Sequence, residues 1–151
     1  MPRLSLDSPV GRLTLFEEDG SITGLIWGGK AAEPGEPTAL LRRAKREIAT
    51  YFAGKRREFD LPVKPDGTPS EIKVWQAMAA IPYGETRTYG EIAKQTGVNA
   101  RAVGQACGRN PIPILLPCHR VVAANGLGGF SAPGGVKWKE KLLVLERALL
   151  L

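Results

Sequence analysis

The chain has 151 residues, 43% of them hydrophobic and 24% charged, which suits one ordinary globular domain or two small ones and excludes a disordered or fibrous protein. Two cysteines cannot build a disulfide framework, Met1-Pro2-Arg3 leading straight into a short alternating run is not expected to open a signal peptide, and no apolar run approaches the roughly 20 residues needed to cross a bilayer. A reducing, cytoplasmic setting without a membrane partner is therefore expected. The net charge of +6 admits nucleic acid, anionic lipid or acidic protein as a partner. Residues 1–65 carry 11 basic and 9 acidic side chains and residues 66–151 carry 10 and 6, so the excess leans toward the half that holds the cysteines.

Three short segments open the chain, Leu4 to Leu6, Arg12 to Glu17 and Ser21 to Trp27, separated by the turn signals Ser8-Pro9-Val10-Gly11 and Asp19-Gly20. They predict an antiparallel meander. After a Pro/Gly/Glu loop, Leu40, Leu41, Ala44, Ile48, Tyr51 and Phe52 recur at helical spacing until Gly54. The basic cluster Arg42, Arg43, Lys45, Arg46 reads most simply as the solvated face of that helix. Leu61-Pro62-Val63-Lys64-Pro65-Asp66-Gly67 is rich in turn residues and is the best boundary between a domain of residues 1–65 and one of residues 66–151.

The second half begins with a helix of about 12 residues marked by Ile72, Trp75, Met78 and Ala79, closed by Pro82 and Gly84. Thr88-Tyr89-Gly90-Glu91 has capping-box spacing and predicts a short helix through Gln95 ending at Gly97. Asn99 caps the next, to Cys107, with Ala102, Val103 and Ala106 facing the core. Two short helices joined by a Gly-containing turn form a helix-turn-helix candidate, with an ordinary helical hairpin as the alternative. The second helix carries Ala100, Ala102, Val103, Gly104 and Ala106, small or compact side chains that let a backbone approach another surface closely. Its one long cation, Arg101, sits at the N-terminal end, where the helix dipole also favours phosphate. A solvated surface arginine is the plainer alternative.

Pro117-Cys118-His119-Arg120 places the sole histidine beside one of the two cysteines. A cysteine nucleophile at neutral pH needs a base or a positive neighbour to become thiolate, and His119 with Arg120 offers both kinds of help within two residues. A buried structural cysteine beside a surface histidine would show the same letters.

Taken together, Ile81-Pro82-Tyr83-Gly84-Glu85-Thr86, Thr88-Tyr89-Gly90-Glu91-Ile92-Ala93, Arg101-Ala102-Val103-Gly104, Asn110-Pro111-Ile112-Pro113 and Pro117-Cys118-His119-Arg120-Val121 resemble the O6-alkylguanine-DNA alkyltransferase family in order and spacing. The resemblance implies an α/β (α+β) protein with a small N-terminal domain of antiparallel sheet and helix. A mainly helical C-terminal domain then carries a helix-turn-helix. It implies direct, irreversible repair of double-stranded DNA by a monomer. The thiolate of Cys118 would take the alkyl group from O6 of alkylguanine, and by the same chemistry from O4-alkylthymine, in a single turnover.

By the same resemblance, Glu146 on the final helix would orient His119. Neighbouring side chains on a helix or strand do not face each other, so His119 is expected to deprotonate Cys118 through a water. Tyr89 would donate to the base and crowd its phosphate, and Arg101 would fill the gap left by the flipped nucleotide, with Ala102 and Gly104 on the same smooth face. Asn110 would brace the active-site turn, and Val121 would offer its carbonyl to the guanine amine. Phe130 and Ser131 would belong to a Gly-rich lid, Gly126 to Gly135.

Ser70, Cys107 and Phe130 depart from the residues common in relatives, which bears on alkyl-group preference. Residues 1–65 contain neither Cys nor His, so no metal is expected there, and no cofactor is implied. The alternatives are a damage sensor without transfer activity, a transcriptional regulator and a Cys-His peptidase. Cys118 argues against the first; the second leaves Pro117-Cys118-His119 idle and the third leaves Arg101 idle.

Overall fold

A computed structural model of the chain describes residues 2–29, 37–129 and 135–147. The chain divides into two compact units, residues 1–66 and 67–151. In the first, β1 (Arg3–Ser8), β2 (Gly11–Glu18) and β3 (Ser21–Trp27) form an antiparallel sheet in the order β1-β2-β3. Leu13 and Leu15 lie opposite Leu6 and Leu4 across the β1–β2 ladder, and Leu15 opposite Leu25 across β2–β3. Leu6, Leu13, Leu15 and Leu25 turn into the core and meet Leu41, Ala44, Ile48 and Tyr51 of α1 (Ala39–Phe52). Those helix positions recur at the 3.6-residue period, so a single stripe covers the sheet.

The turn-rich segment after α1 is held to the sheet, because Ile22 N–H donates to Pro62 O at 2.8 Å and Lys64 N–H to Ile22 O at 2.9 Å. Glu47, buried in α1, accepts from Asp60 N–H at 2.9 Å and pairs with Arg43 at 3.2 Å and Arg56 at 3.4 Å. A buried carboxylate is tolerated here because its lone pairs are occupied.

The second unit is built on α2 (Pro69–Ala79), α3 (Tyr89–Thr96) and α4 (Ala100–Gly108), which pack on one another. Thr68 and Glu71 form a capping box at α2, and Pro69 at its first position gives up an N–H that has no helical partner. The buried face of α2 is Val74, Trp75, Ala77 and Met78, whereas Ala79, one of the residues whose spacing marks the helix, is exposed. Trp75 Nε1–H donates to Ala106 O at 2.9 Å and so pins α2 to α4.

At α3 the Thr88 hydroxyl accepts from Glu91 N–H at 3.0 Å and the Glu91 carboxylate from Thr88 N–H at 2.9 Å. The helix stops at Gly97, whose φ of 77° is the left-handed conformation that glycine adopts without steric cost. Asn99 then caps α4 through Ala102 N–H at 2.9 Å. The mixed α/β class and the helix-turn-helix read from the sequence are both present.

Two features were not legible in the chain. Arg87–Thr88 (β4) pairs in parallel with Val121–Val122 (β5), Arg87 opposite Val121 and Thr88 opposite Val122. This short bridge sets the first residue of α3, Tyr89, beside the chain that leaves Cys118. The last helix, α5 (Val136–Leu145), ends one residue earlier than expected, so Glu146 is its C-cap and is buried, with 1% of its surface exposed. Among the described residues no helix is long and apolar enough to cross a membrane.

Thr88→Ala removes the hydroxyl half of the α3 capping box and should cost about 1 kcal/mol. Urea denaturation checks this: an unchanged midpoint would mean that packing alone holds α3 in place.

Candidate active site

Cys118 opens a single 3-10 turn, Cys118–Arg120, that β5 follows directly. The approach to it is fixed by Asn110. Its Nδ2–H donates to Leu116 O at 2.7 Å and its Oδ1 accepts from Ile112 N–H at 3.0 Å, while Leu116 N–H donates to Ile112 O at 2.8 Å. Leu116 O also accepts from Cys118 N–H at 2.8 Å. Inside this turn Ile114 is buried at a φ of 75°, which for a β-branched residue costs on the order of 1–3 kcal/mol and persists only when its surroundings over-determine it. The Asn110 side chain does so from both ends.

Beneath the thiol lies a buried ionic network. His119 Nε2 is 2.8 Å from Glu146 Oε2, and both side chains are fully buried. Arg120 grips the same carboxylate with Nε at 2.8 Å from Oε1 and Nη2 at 3.0 Å from Oε2, and its Nη1–H donates to Ile81 O at 2.7 Å. Burial by itself would raise the Glu146 pKa, but hydrogen bonds and charge from His119 and Arg120 outweigh it and lower it to about 2. Burial, joined by the charges of Arg120 and Lys139, lowers the pKa of His119 against the pull of Glu146, so the imidazole is neutral at pH 7. An ionised carboxylate only accepts, so Nε2 carries the proton and Nδ1 the lone pair. Nδ1 is buried and has no hydrogen-bond partner among the described residues.

The expectation that Arg120 supports the thiolate is corrected here, because its guanidinium is spent on Glu146 and Ile81. The cation that acts on Cys118 is Lys139, which the sequence reading passed over. Lys139 is 1% exposed, and its Nζ donates to Val121 O at 2.6 Å and Gly129 O at 3.1 Å and lies 3.5 Å from the Tyr89 hydroxyl. Its signal was in the sequence: it shares the helical spacing of Leu142, Leu143 and Glu146, the buried face of α5, where an unpaired lysine has no reason to be.

Burial raises the Cys118 pKa, opposed by a hydrogen bond from Asn110 and the charge of Lys139, so the resting group is a thiol that needs a base. Burial also raises the Cys107 pKa, to about 12, and its Sγ packs 3.7 Å from Met78 Sδ.

Tyr89 is half-buried, and burial together with the nearby Cys107 and Cys118 raises its pKa, which keeps the phenol a hydrogen-bond donor. Gly128, at a φ of 76°, packs on that ring; a Cβ there would stand 2.7 Å from the hydroxyl oxygen. The Val121 carbonyl already accepts from Lys139 and keeps one lone pair for another donor. Arg101 is exposed on the first turn of α4, Ala102 and Gly104 are half-buried there, and a Cβ on Gly104 would meet nothing within 4 Å. Phe130 and Ser131 lie outside the described residues. Among the described residues no group of three or more His, Cys, Asp or Glu could hold a metal ion.

Glu146→Gln leaves Arg120 buried without its counter-charge and should destabilise the protein by about 3–5 kcal/mol. Because the folded-state pKa of Glu146 is depressed, its stabilisation is complete above the ordinary value of 4.5 and is lost as the pH falls toward about 2. Urea denaturation of wild type and variant should therefore show a wide gap at pH 7 that narrows at about pH 3. An equal gap at both values would remove the Glu146 charge from this account.

Residues 3–65 match the family described as 6-O-methylguanine DNA methyltransferase, ribonuclease-like domain, and residues 69–148 that described as 6-O-methylguanine DNA methyltransferase, DNA binding domain. The methylated-DNA--protein-cysteine methyltransferase of Mycolicibacterium paratuberculosis is 44% identical over 151 residues, covering 95% of this chain and 90% of the relative. That of Methanosarcina acetivorans is 45% identical over 149 residues, covering 93% and 94%. In three dimensions the chain is similar to Mycobacterium tuberculosis OGT in complex with DNA, with a TM-score of 0.87, 42% identity, and 98% of this chain and 94% of that one covered. Both halves of the chain and its full-length relatives agree, and the chain belongs to the methylated-DNA--protein-cysteine methyltransferase family.

Proposed function

We propose that Cys118 accepts the alkyl group from O6 of an alkylguanine in double-stranded DNA, and by the same chemistry from O4 of an alkylthymine, in one irreversible transfer that restores the base and consumes the protein. The observation that carries this reading is His119 itself, beside Cys118 in the chain, with Nε2 2.8 Å from the Glu146 carboxylate and a buried Nδ1 without a hydrogen-bond partner among the described residues; the neutral imidazole this implies has its Nδ1 lone pair left as the base for a thiol that burial keeps protonated. His119 Nδ1 takes the thiol proton through one bridging water. The sulfur then attacks the alkyl carbon; the S–C bond forms as the C–O bond breaks, and the electron pair goes to the departing base. A stacked base cannot present that carbon in line to a buried sulfur, so the nucleotide leaves the duplex.

The remaining roles follow from position. The Tyr89 phenol donates to the extruded base, stabilising the charge that grows on it. The Val121 carbonyl takes the base amine, and Lys139 holds that carbonyl in place. Asn110 supports the thiolate and the turn that carries it. Arg101, at the exposed start of α4, occupies the space left in the duplex, and the small side chains Ala102 and Gly104 let α4 approach the groove. Residues 66–151 thus form the DNA-binding and transfer domain and residues 1–65 a separate α/β domain. All groups come from one chain, so a monomer suffices, and no cofactor enters the balance.

One equivalent of an O6-methylguanine duplex should add one methyl mass to Cys118, after which activity stops, as intact-mass and peptide mass spectrometry would show. Continued turnover on excess substrate, or label on Cys107, would overturn the reading.

Arg101→Ala should slow repair of duplex substrate by about 10- to 100-fold, the loss of roughly 1–3 kcal/mol of stacking and hydrogen bonding, while the rate with free O6-benzylguanine holds. The free base needs no extrusion. Equal slowing of both reactions would place Arg101 in the pocket or in the fold's stability.

A further inference from the structure

The densest run of positive charge in this chain lies outside the helix-turn-helix. Residues 39–57, which are α1 and the turn after it, hold seven Lys and Arg against one acid, a net +6 that equals the charge of the whole chain. Two of the seven serve the fold, since Arg43 and Arg56 close on the buried Glu47. The other five, Arg42, Lys45, Arg46, Lys55 and Arg57, are exposed. Arg42, Lys45 and Arg46 stand at i, i+3 and i+4, one stripe of α1 opposite the buried Leu41, Ala44, Ile48 and Tyr51. At 1.5 Å per residue, Arg42 and Arg46 are about 6 Å apart along the axis.

This placement works against the helix. Like charges four residues apart repel. The first turn of α1 holds no acid and the last turn no base, the reverse of what helix stability favours. Asp60, an acid in the following turn, is taken by Arg43 at 3.0 Å, and Glu58 is left as the one other exposed acid there.

We infer that the outer face of α1 binds the phosphate backbone of duplex DNA, as a second set of contacts in addition to the helix-turn-helix. The inference rests on the DNA-repair reading for its choice of polyanion. A row of exposed cations suits repeating phosphates, which ask for charge at intervals and for no base-specific geometry. Such contacts raise affinity for any sequence, which serves a protein that must search undamaged DNA for rare lesions.

The test is the salt dependence of binding to an undamaged 30-base-pair duplex, read by fluorescence anisotropy for wild type and for Arg42→Gln/Lys45→Gln/Arg46→Gln. Each phosphate contact adds about −0.9 to the slope of log K against log salt, so the triple variant should be shallower by about 2.7 and Lys45→Gln alone by about 0.9. Affinity at 50 mM salt should fall on the order of tenfold or more in the triple variant. Its melting temperature should not fall, and its rate with free O6-benzylguanine should match wild type. Wild-type slopes in both variants would overturn the proposal. So would an unchanged slope with an altered sedimentation coefficient of the DNA-free protein, which would make the face a contact between copies. Failure of the wild type to react with O6-benzylguanine would instead count against the alkyl-transfer reading, since the binding titration does not depend on transfer.

Discussion

The site depends on one buried carboxylate. Glu146 accepts from His119 and, through two nitrogens, from Arg120, so one side chain fixes both residues that follow the nucleophile. A carboxylate in this position would be costly alone, because its desolvation amounts to several kcal/mol. It is tolerated because three hydrogen bonds reach it and because Arg120 also binds Ile81 O, which ties the turn before Tyr83 into the same cluster. The network has two consequences. It fixes the imidazole tautomer, and it leaves Arg120 no freedom to stabilise a thiolate.

That second consequence shapes the chemistry. If the guanidinium faced Cys118, the thiol would ionise readily and would be open to alkylation or oxidation before any DNA arrived. Instead burial holds it protonated, and the charge acting on it is Lys139, whose ammonium is also engaged by two carbonyls. A protein that spends its one nucleophile gains from a thiol that is inert until a base enters and a proton can leave.

The sequence made the helix-turn-helix legible because capping chemistry is local: Thr88 with Glu91, Gly97 and Asn99 each act within four residues of the backbone they satisfy. The Cys118-His119 pair was legible as adjacency in the chain. What was hidden depends on contacts between distant segments. The β4–β5 bridge is two residues long on each side, too short for any alternation pattern, yet it seats Tyr89 beside the chain after Cys118. Arg120 was misread because adjacency in sequence said nothing of where a long side chain points, and a partner 26 residues away claimed it. Lys139 was missed for the opposite reason. Its place among the buried positions of α5 was visible, but lysines in a run of Lys137, Lys139 and Lys141 read as solvent-facing until the helix phase is fixed.

The helix phase also separates the ends of the three packed helices. The first turn of α2 holds Glu71 and that of α3 holds Glu91, each closing a capping box and neutralising the positive end of its helix dipole. The first turn of α4 holds no acid, and its cap is the uncharged Asn99, which satisfies Ala102 N–H and adds no negative charge. A glutamate would have served the fold there as well as it serves α2 and α3. Its absence leaves the dipole's positive end and the exposed Arg101 acting together, an arrangement that weakens the isolated helix slightly and strengthens it against a phosphate. The DNA-facing role proposed for α4 thus rests on how its N-terminus differs from those of the two helices it packs against, as much as on the arginine itself.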